Sequence, residues 1–220
     1  MGIVFGKTGV AEPVFETLLS RTNNCTVPYE FRRYGQRFAI ETLYEKDDTS
    51  SAFRSLAGYI GVGGPPQNEG SQPISMTAPV VTAGQKIAMT APVVTNQIEG
   101  SSTKKMQFIL PAEYDSIDKI PKPKSSKVTI QEVPPAIGVV HQFSGWVKDD
   151  VAKGKVKALV KQLQEDGMGT LTESEALDKY LLWQYNPPFT VPQLRRNEVW
   201  IELSDDQVKE HLNRYSSEHN

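Results

Sequence analysis

The sequence predicts an α+β protein built of two similar halves, from three observations. Segments that alternate apolar and polar residues recur along the chain, two longer segments carry helical periodicity, and the order strands, helix, strands is run through twice. At 220 residues, with 38% hydrophobic and 23% charged side chains, the chain is long enough to bury a substantial core, and its composition is that of one compact domain with tails.

The first strand signal is VPYEFRRYGQRFAIETLY, residues 27–44, where Tyr29 and Phe31, then Phe38 and Ile40, recur at period two around Gly35. It reads as a strand pair. Behind capping Ser and Thr residues, Phe53, Leu56, Ala57 and Ile60 fall at i, i+3, i+4 and i+7, which predicts a short amphipathic helix stopped by Gly61. Residues 61–73, GVGGPPQNEGSQP, are a loop by composition, and without a following GK[ST] their glycines do not make a phosphate loop.

The next stretch says nearly the same thing twice. Ile74 to Thr82 and Ile87 to Thr95 differ only where Ser75 becomes Ala88. Each copy alternates as a strand, but Pro79 and Pro92 cannot donate to a ladder, so an edge or a bulge is expected there, with residues 83–86 as a hairpin loop. KMQFILP (105–111), a helical turn at AEYDSI, KVTIQEV (127–133) and AIGVVHQFSG (136–145) follow. The second long helix is DDVAKGKVKALVKQLQEDG, with Ala152, Val156, Leu159, Val160 and Leu163 on one face and Gly167 at its end. After ALDKYLLWQY and the turn NPPFTVP, Val199, Ile201 and Leu203 alternate in the last strand. The polar end, from Ser204 on, reads as a frayed tail or a short surface helix.

A formal charge of −2 offers no concentrated basic surface for nucleic acid. Cys25 is the only cysteine, so neither an internal disulfide nor a thiolate zinc site can form, and a reducing compartment is expected. No run of roughly 18 apolar residues spans a membrane. Gly2 follows Met1, but Gly6 stands where an acylation signal needs Ser or Thr.

Catalytic signals are weak. His141, His211 and His219, the only histidines, lack HxxxH or HExxH spacing, and FSGW around Ser144 lacks the GxSxG pattern. Asp47 with Asp48, and Glu198 with Glu202, are read as solvated surface carboxylates. Lys153, Lys157 and Lys161 step along the second helix as a solvated face. The remaining feature is apolar: the first helix followed by strands bearing Met76 and Met89, polarizable side chains that adapt to flat apolar shapes. These residues either close the core or wall a groove.

Taken together, Tyr29-Glu30-x-Arg32-x-Tyr34, Gly58-Tyr59-Ile60, Ile87-Ala88-Met89-Thr90-Ala91-Pro92-Val93, Phe143-Ser144-Gly145, Tyr185-Asn186-Pro187-Pro188 and Arg196-Asn197-Glu198-Val199 resemble the SOUL haem-binding protein family. The doubled MTAPVVT and the opening MGIVFGK are most similar to plant and algal members. The resemblance implies a distorted antiparallel β-barrel flanked by two helices in two pseudo-symmetric halves. It further implies binding of haem or another tetrapyrrole in an apolar groove beside the first helix, formed by Phe53, Leu56, Ala57 and Ile60 with Met76 and Met89 nearby. Arg54 is the partner expected for a propionate.

Some members are assigned an axial histidine in the N-terminal half, whereas this chain has none before His141. Binding is therefore expected to rest on burial of the macrocycle and on propionate contacts, which suits a non-enzymatic carrier or buffer better than redox chemistry. The alternatives are an interaction or sensor module with a vestigial groove, whose lysine-bearing second helix meets a partner, and an enzyme acting on the bound tetrapyrrole. His141 is read as structural. The expectations are an N-terminal extension (1–26), a SOUL domain (27–203) and a C-terminal tail (204–220) in a cytoplasmic or plastid monomer, with a tetrapyrrole as its partner and no nucleic acid or membrane insertion.

Overall fold

The computed structural model describes residues 11–45, 48–83, 103–186 and 190–218. The second MTAPVVT copy with Met89, residues 84–86 of the hairpin loop expected before it and the Pro187-Pro188 pair lie outside the described residues.

Among the described residues nine antiparallel strands form one sheet: β1 (Phe15–Arg21), β2 (Tyr29–Tyr34), β3 (Arg37–Tyr44), β4 (Val80–Ala83), β5 (Lys104–Ile109), β6 (Thr129–Val133), β7 (Ala136–Phe143), β8 (Leu181–Gln184) and β9 (Asn197–Leu203). Among the same residues four α-helices accompany them: α1 (Thr49–Ile60), α2 (Asp149–Glu165), α3 (Glu173–Lys179) and α4 (Asp205–Glu218). Across the sheet the order is β1-β2-β7-β9-β8-β4-β5-β3-β6. β7-β9-β8 on one side thus mirrors β3-β5-β4 on the other, with β8 against β4 at the centre, and each half carries its own helix after its first central strand.

Four expectations are corrected. The sheet does not close into a barrel, because its end strands, β1 and β6, pair only with β2 and β3. Four helices accompany it in place of two. β2 and β3, though separated only by Gly35 and Gln36, do not pair: β2 lies between β1 and β7, and β3 between β5 and β6. The reason is where their apolar residues go. Tyr29 and Phe31 enter the core under α2, whereas Phe38 and Ile40 enter the core under α1, and a single hairpin could not cover both. β6 and β7 part in the same way across Pro134 and Pro135, whose missing N–H groups end a ladder. The first MTAPVVT copy is also not an edge: β4 starts just after Pro79 and is paired on both sides, by β5 and β8.

The helix periodicities hold. α1 ends at Gly61, whose φ of +90° favours glycine, with the Val62 N–H donating to the Ala57 carbonyl (2.9 Å) and the Gly61 N–H to that of Gly58 (3.2 Å). α2 closes alike at Gly167 (φ +88°), where Met168 donates to Leu163 (2.8 Å) and Gly167 to Gln164 (3.1 Å). One apolar cluster joins β2, β7 and β9 to α2, α3 and Val208 of α4; a second joins β3 and β5 to α1. The polar C-terminal segment is therefore a docked helix: His211 is buried against Phe31, ring centres 5.1 Å apart.

A third cluster lies on the opposite, helix-free face. It holds Tyr34, Ala39, Val81, Ile109, Val140, Trp183, Tyr185 and Trp200, the residues that alternate with those facing the helices. The sheet curls over this face, so that Gln131 of β6 and Trp200 of β9, far apart in strand order, wall the same cavity.

Candidate functional site

α1 buries Ala52, Leu56, Ala57, Tyr59 and Ile60 against β3 and β5. Of the groove residues expected from sequence, Leu56, Ala57 and Ile60 thus stand in the closed core. Phe53 and Met76 are half-buried at its margin, the Phe53 ring edge-on to Phe108 at 5.3 Å. Arg54 is exposed, and Val62 beyond the helix end is 47% exposed. The surface offered beside α1 is therefore a shallow apolar margin, Phe53 and Met76, with a guanidinium next to it. Behind it, the Tyr59 hydroxyl donates to the Pro121 carbonyl (2.6 Å), and burial pushes its pKa up to about 12.

Two cavities approach this half of the protein. One of about 510 Å³, walled by Tyr44, Ser51, Ala52, Ser55 and Lys127, opens beside the start of α1. The other, of about 530 Å³, is walled by Phe38, Ile109, Leu110 and Tyr114, with Arg37 at one side. Phe53, Leu56, Ala57, Ile60 and Met76 line neither.

The helix-free face carries the strongest electrostatic feature. Glu198 of β9 is wholly buried and accepts hydrogen bonds from Arg32 Nη1 (3.1 Å to each oxygen), Arg196 Nε (3.0 Å) and Nη2 (2.8 Å), and the Tyr185 hydroxyl (2.8 Å). Glu30 and Glu12 meet the outer sides of the same guanidiniums at 2.7 and 2.9 Å. Burial alone would lower the Arg32 pKa, but the charge of Glu198 raises it above its ordinary value. Burial, and then Glu198, hold the Tyr185 phenol far above its usual range. Glu198 is therefore not a solvated carboxylate as expected, while Glu202, four residues on, is exposed.

Residues 10–202 match the family model described as SOUL heme-binding protein. The chain belongs to the SOUL haem-binding family. No curated protein sequence matches it at a significant level. Among solved structures, this SOUL protein resembles the EcmrR C-terminal domain, with 11% identity over 81% of this chain and 98% of that one and a TM-score of 0.52, which shows a shared fold. The match to the structure of a hydrolase encoded by lin2189 from Listeria innocua, also 11% identical, covers 83% of this chain and 94% of that one at a TM-score of 0.49.

For a SOUL protein the histidines are informative. His141, on β7, is buried, with Nδ1 2.7 Å from the Pro28 carbonyl and its ring stacked on Phe143. Burial lowers its pKa, so it is neutral and donates that hydrogen bond. His211 Nε2 lies 3.2 Å from the Tyr29 hydroxyl. Among the described residues no group of three His, Cys, Asp or Glu side chains could hold a metal ion, and no helix is long and apolar enough to cross a membrane. The Glu198 cluster had one local signal: NEVWIEL places Glu198 and Trp200 on one face of a strand whose other face carries Val199, Ile201 and Leu203, and a buried-type Trp beside the acid is a pairing that a solvated face does not call for.

Proposed function

We propose that the protein binds haem and related tetrapyrroles on the apolar margin of α1, as a carrier or buffer without an obligatory axial histidine. Family membership over residues 10–202 carries this reading, and the half-buried Phe53 and Met76 beside exposed Arg54 support it. They offer apolar contact for a macrocycle and a cation for a propionate, while Leu56, Ala57 and Ile60 form the floor behind them. When bound, haem itself would supply the iron chemistry; the protein's part is to desolvate the ring and pair its carboxylates.

Titration with hemin and with protoporphyrin IX, followed by the Soret band and tryptophan fluorescence, tests it. Saturation at comparable micromolar concentrations of both is expected, and no saturable change with either refutes the reading. Phe53→Ala places the site. A half-buried Phe should cost less than the roughly 3 to 5 kcal/mol of a fully buried one, yet weaken hemin binding at least about tenfold. Unchanged affinity in this variant would remove Phe53 from the site.

A further inference from the structure

Arg37 opens β3, and it differs from the other two guanidiniums turned into the helix-free face. Arg32 and Arg196 share Glu198, but Arg37 Nε and Nη1 are buried with no hydrogen-bond partner, and among the described residues no carboxylate lies within ion-pair distance. Its Cζ sits 4.7 Å from the Tyr34 ring centre, a cation–π contact that engages the face of the guanidinium and leaves Nε and Nη1 unused. Arg37 as a residue is half-buried, but two shielded donors without a partner call for an explanation in a ligand, water or ion.

Arg37 also lines the cavity of about 530 Å³ whose other walls include Phe38, Ile109, Leu110 and Tyr114. That volume lies within the range of small-molecule sites, and the walls are mainly apolar. The two acids at its edge are already engaged: Glu12 with Arg196 at 2.9 Å and Asp115 with Lys119 at 2.8 Å. Glu202, more distant, is the other charge that acts on Arg37. One unpaired guanidinium at the side of a mainly apolar cavity suits a single carboxylate on an apolar body.

We propose that this cavity is a second binding site, for an apolar carboxylic acid whose carboxylate pairs with Arg37. It is separate from the α1 margin, since Phe53 and Met76 do not line it.

Calorimetry of the full chain with decanoate and with decyl alcohol, both at monomeric concentrations, tests this. Decanoate should saturate one site, the alcohol should bind at least tenfold more weakly, and Arg37→Gln should lose at least tenfold for decanoate while melting no lower than wild type. Ala112→Trp, at an exposed position in the cavity wall, should weaken decanoate without touching the charge. Failure of decanoate to saturate, equal binding of the alcohol, or unchanged binding by Arg37→Gln would overturn the proposal. Hemin added to the decanoate complex separates the two sites: additive binding supports a distinct cavity, whereas displacement of decanoate would show that the anion belongs to a propionate and overturn it. If decanoate fails while hemin still saturates, only the second site falls.

Discussion

Removal of the buried carboxylate of Glu198 is the sharpest test of how the helix-free face is held. Glu198→Ala takes away the acceptor of five hydrogen bonds, at 2.8 to 3.1 Å, from Arg32, Arg196 and Tyr185. The two cations then fare differently. The Arg196 side chain is 28% exposed and keeps Glu12, so it can turn outward; the Arg32 side chain is 5% exposed and keeps only Glu30. Breaking a buried pair by deleting one partner costs roughly 3 to 5 kcal/mol, because a buried charge is left uncompensated. At about 2 to 4 °C per kcal/mol for a chain of this size, the melting temperature should fall by roughly 6 to 20 °C. Urea unfolding at neutral pH, with far-UV circular dichroism as readout, measures the loss directly. Combining Glu198→Leu with Arg32→Met should recover most of it, since an apolar pair removes both charges together. A Glu198→Ala variant within about 1 kcal/mol of wild type would refute the argument, because it would mean the carboxylate is not what compensates Arg32.

Two further outcomes follow from packing and titration. A Cβ added at Gly138 would lie 2.5 Å from Trp200 Cε2 and 2.6 Å from the Ile201 carbonyl oxygen, so Gly138→Ala should destabilise by about 1 to 3 kcal/mol and shift tryptophan emission, with wild-type stability as the contrary result. Burial lowers the His141 pKa below its ordinary 6.5, so on acidification the unfolded chain takes up a proton that the folded one refuses. Stability should therefore fall as the pH drops through that value, with a limiting slope from this group of about 1.4 kcal/mol per pH unit. His141→Gln should flatten this dependence between neutral pH and the mildly acidic range, and an unchanged slope would exclude His141 as its source.

The elements themselves were legible in the sequence because their signals are local. The apolar spacing of Leu56, Ala57 and Ile60 and of Val156, Leu159, Val160 and Leu163 specifies α1 and α2, and Gly61 and Gly167 end them because left-handed closing geometry favours glycine. Alternation located strands from residue 27 on, although β1 fell in the segment read as an N-terminal extension, and the ordered motifs pointed to the family that residues 10–202 match. Pairing was not local. Gly35 and Gln36 look like a hairpin link, yet β2 and β3 go to opposite halves because their inward residues complete the cores of different helices. The burial of Glu198 had the same origin: an acid in an alternating strand reads as solvated until β7 and β8 close on both sides of β9 and bring Arg32 across from it. Spacing along the chain dictates which side chains share a face. What that face meets, water, a cation or another strand, depends on residues as many as 184 positions away, and only the tertiary structure brings those into contact.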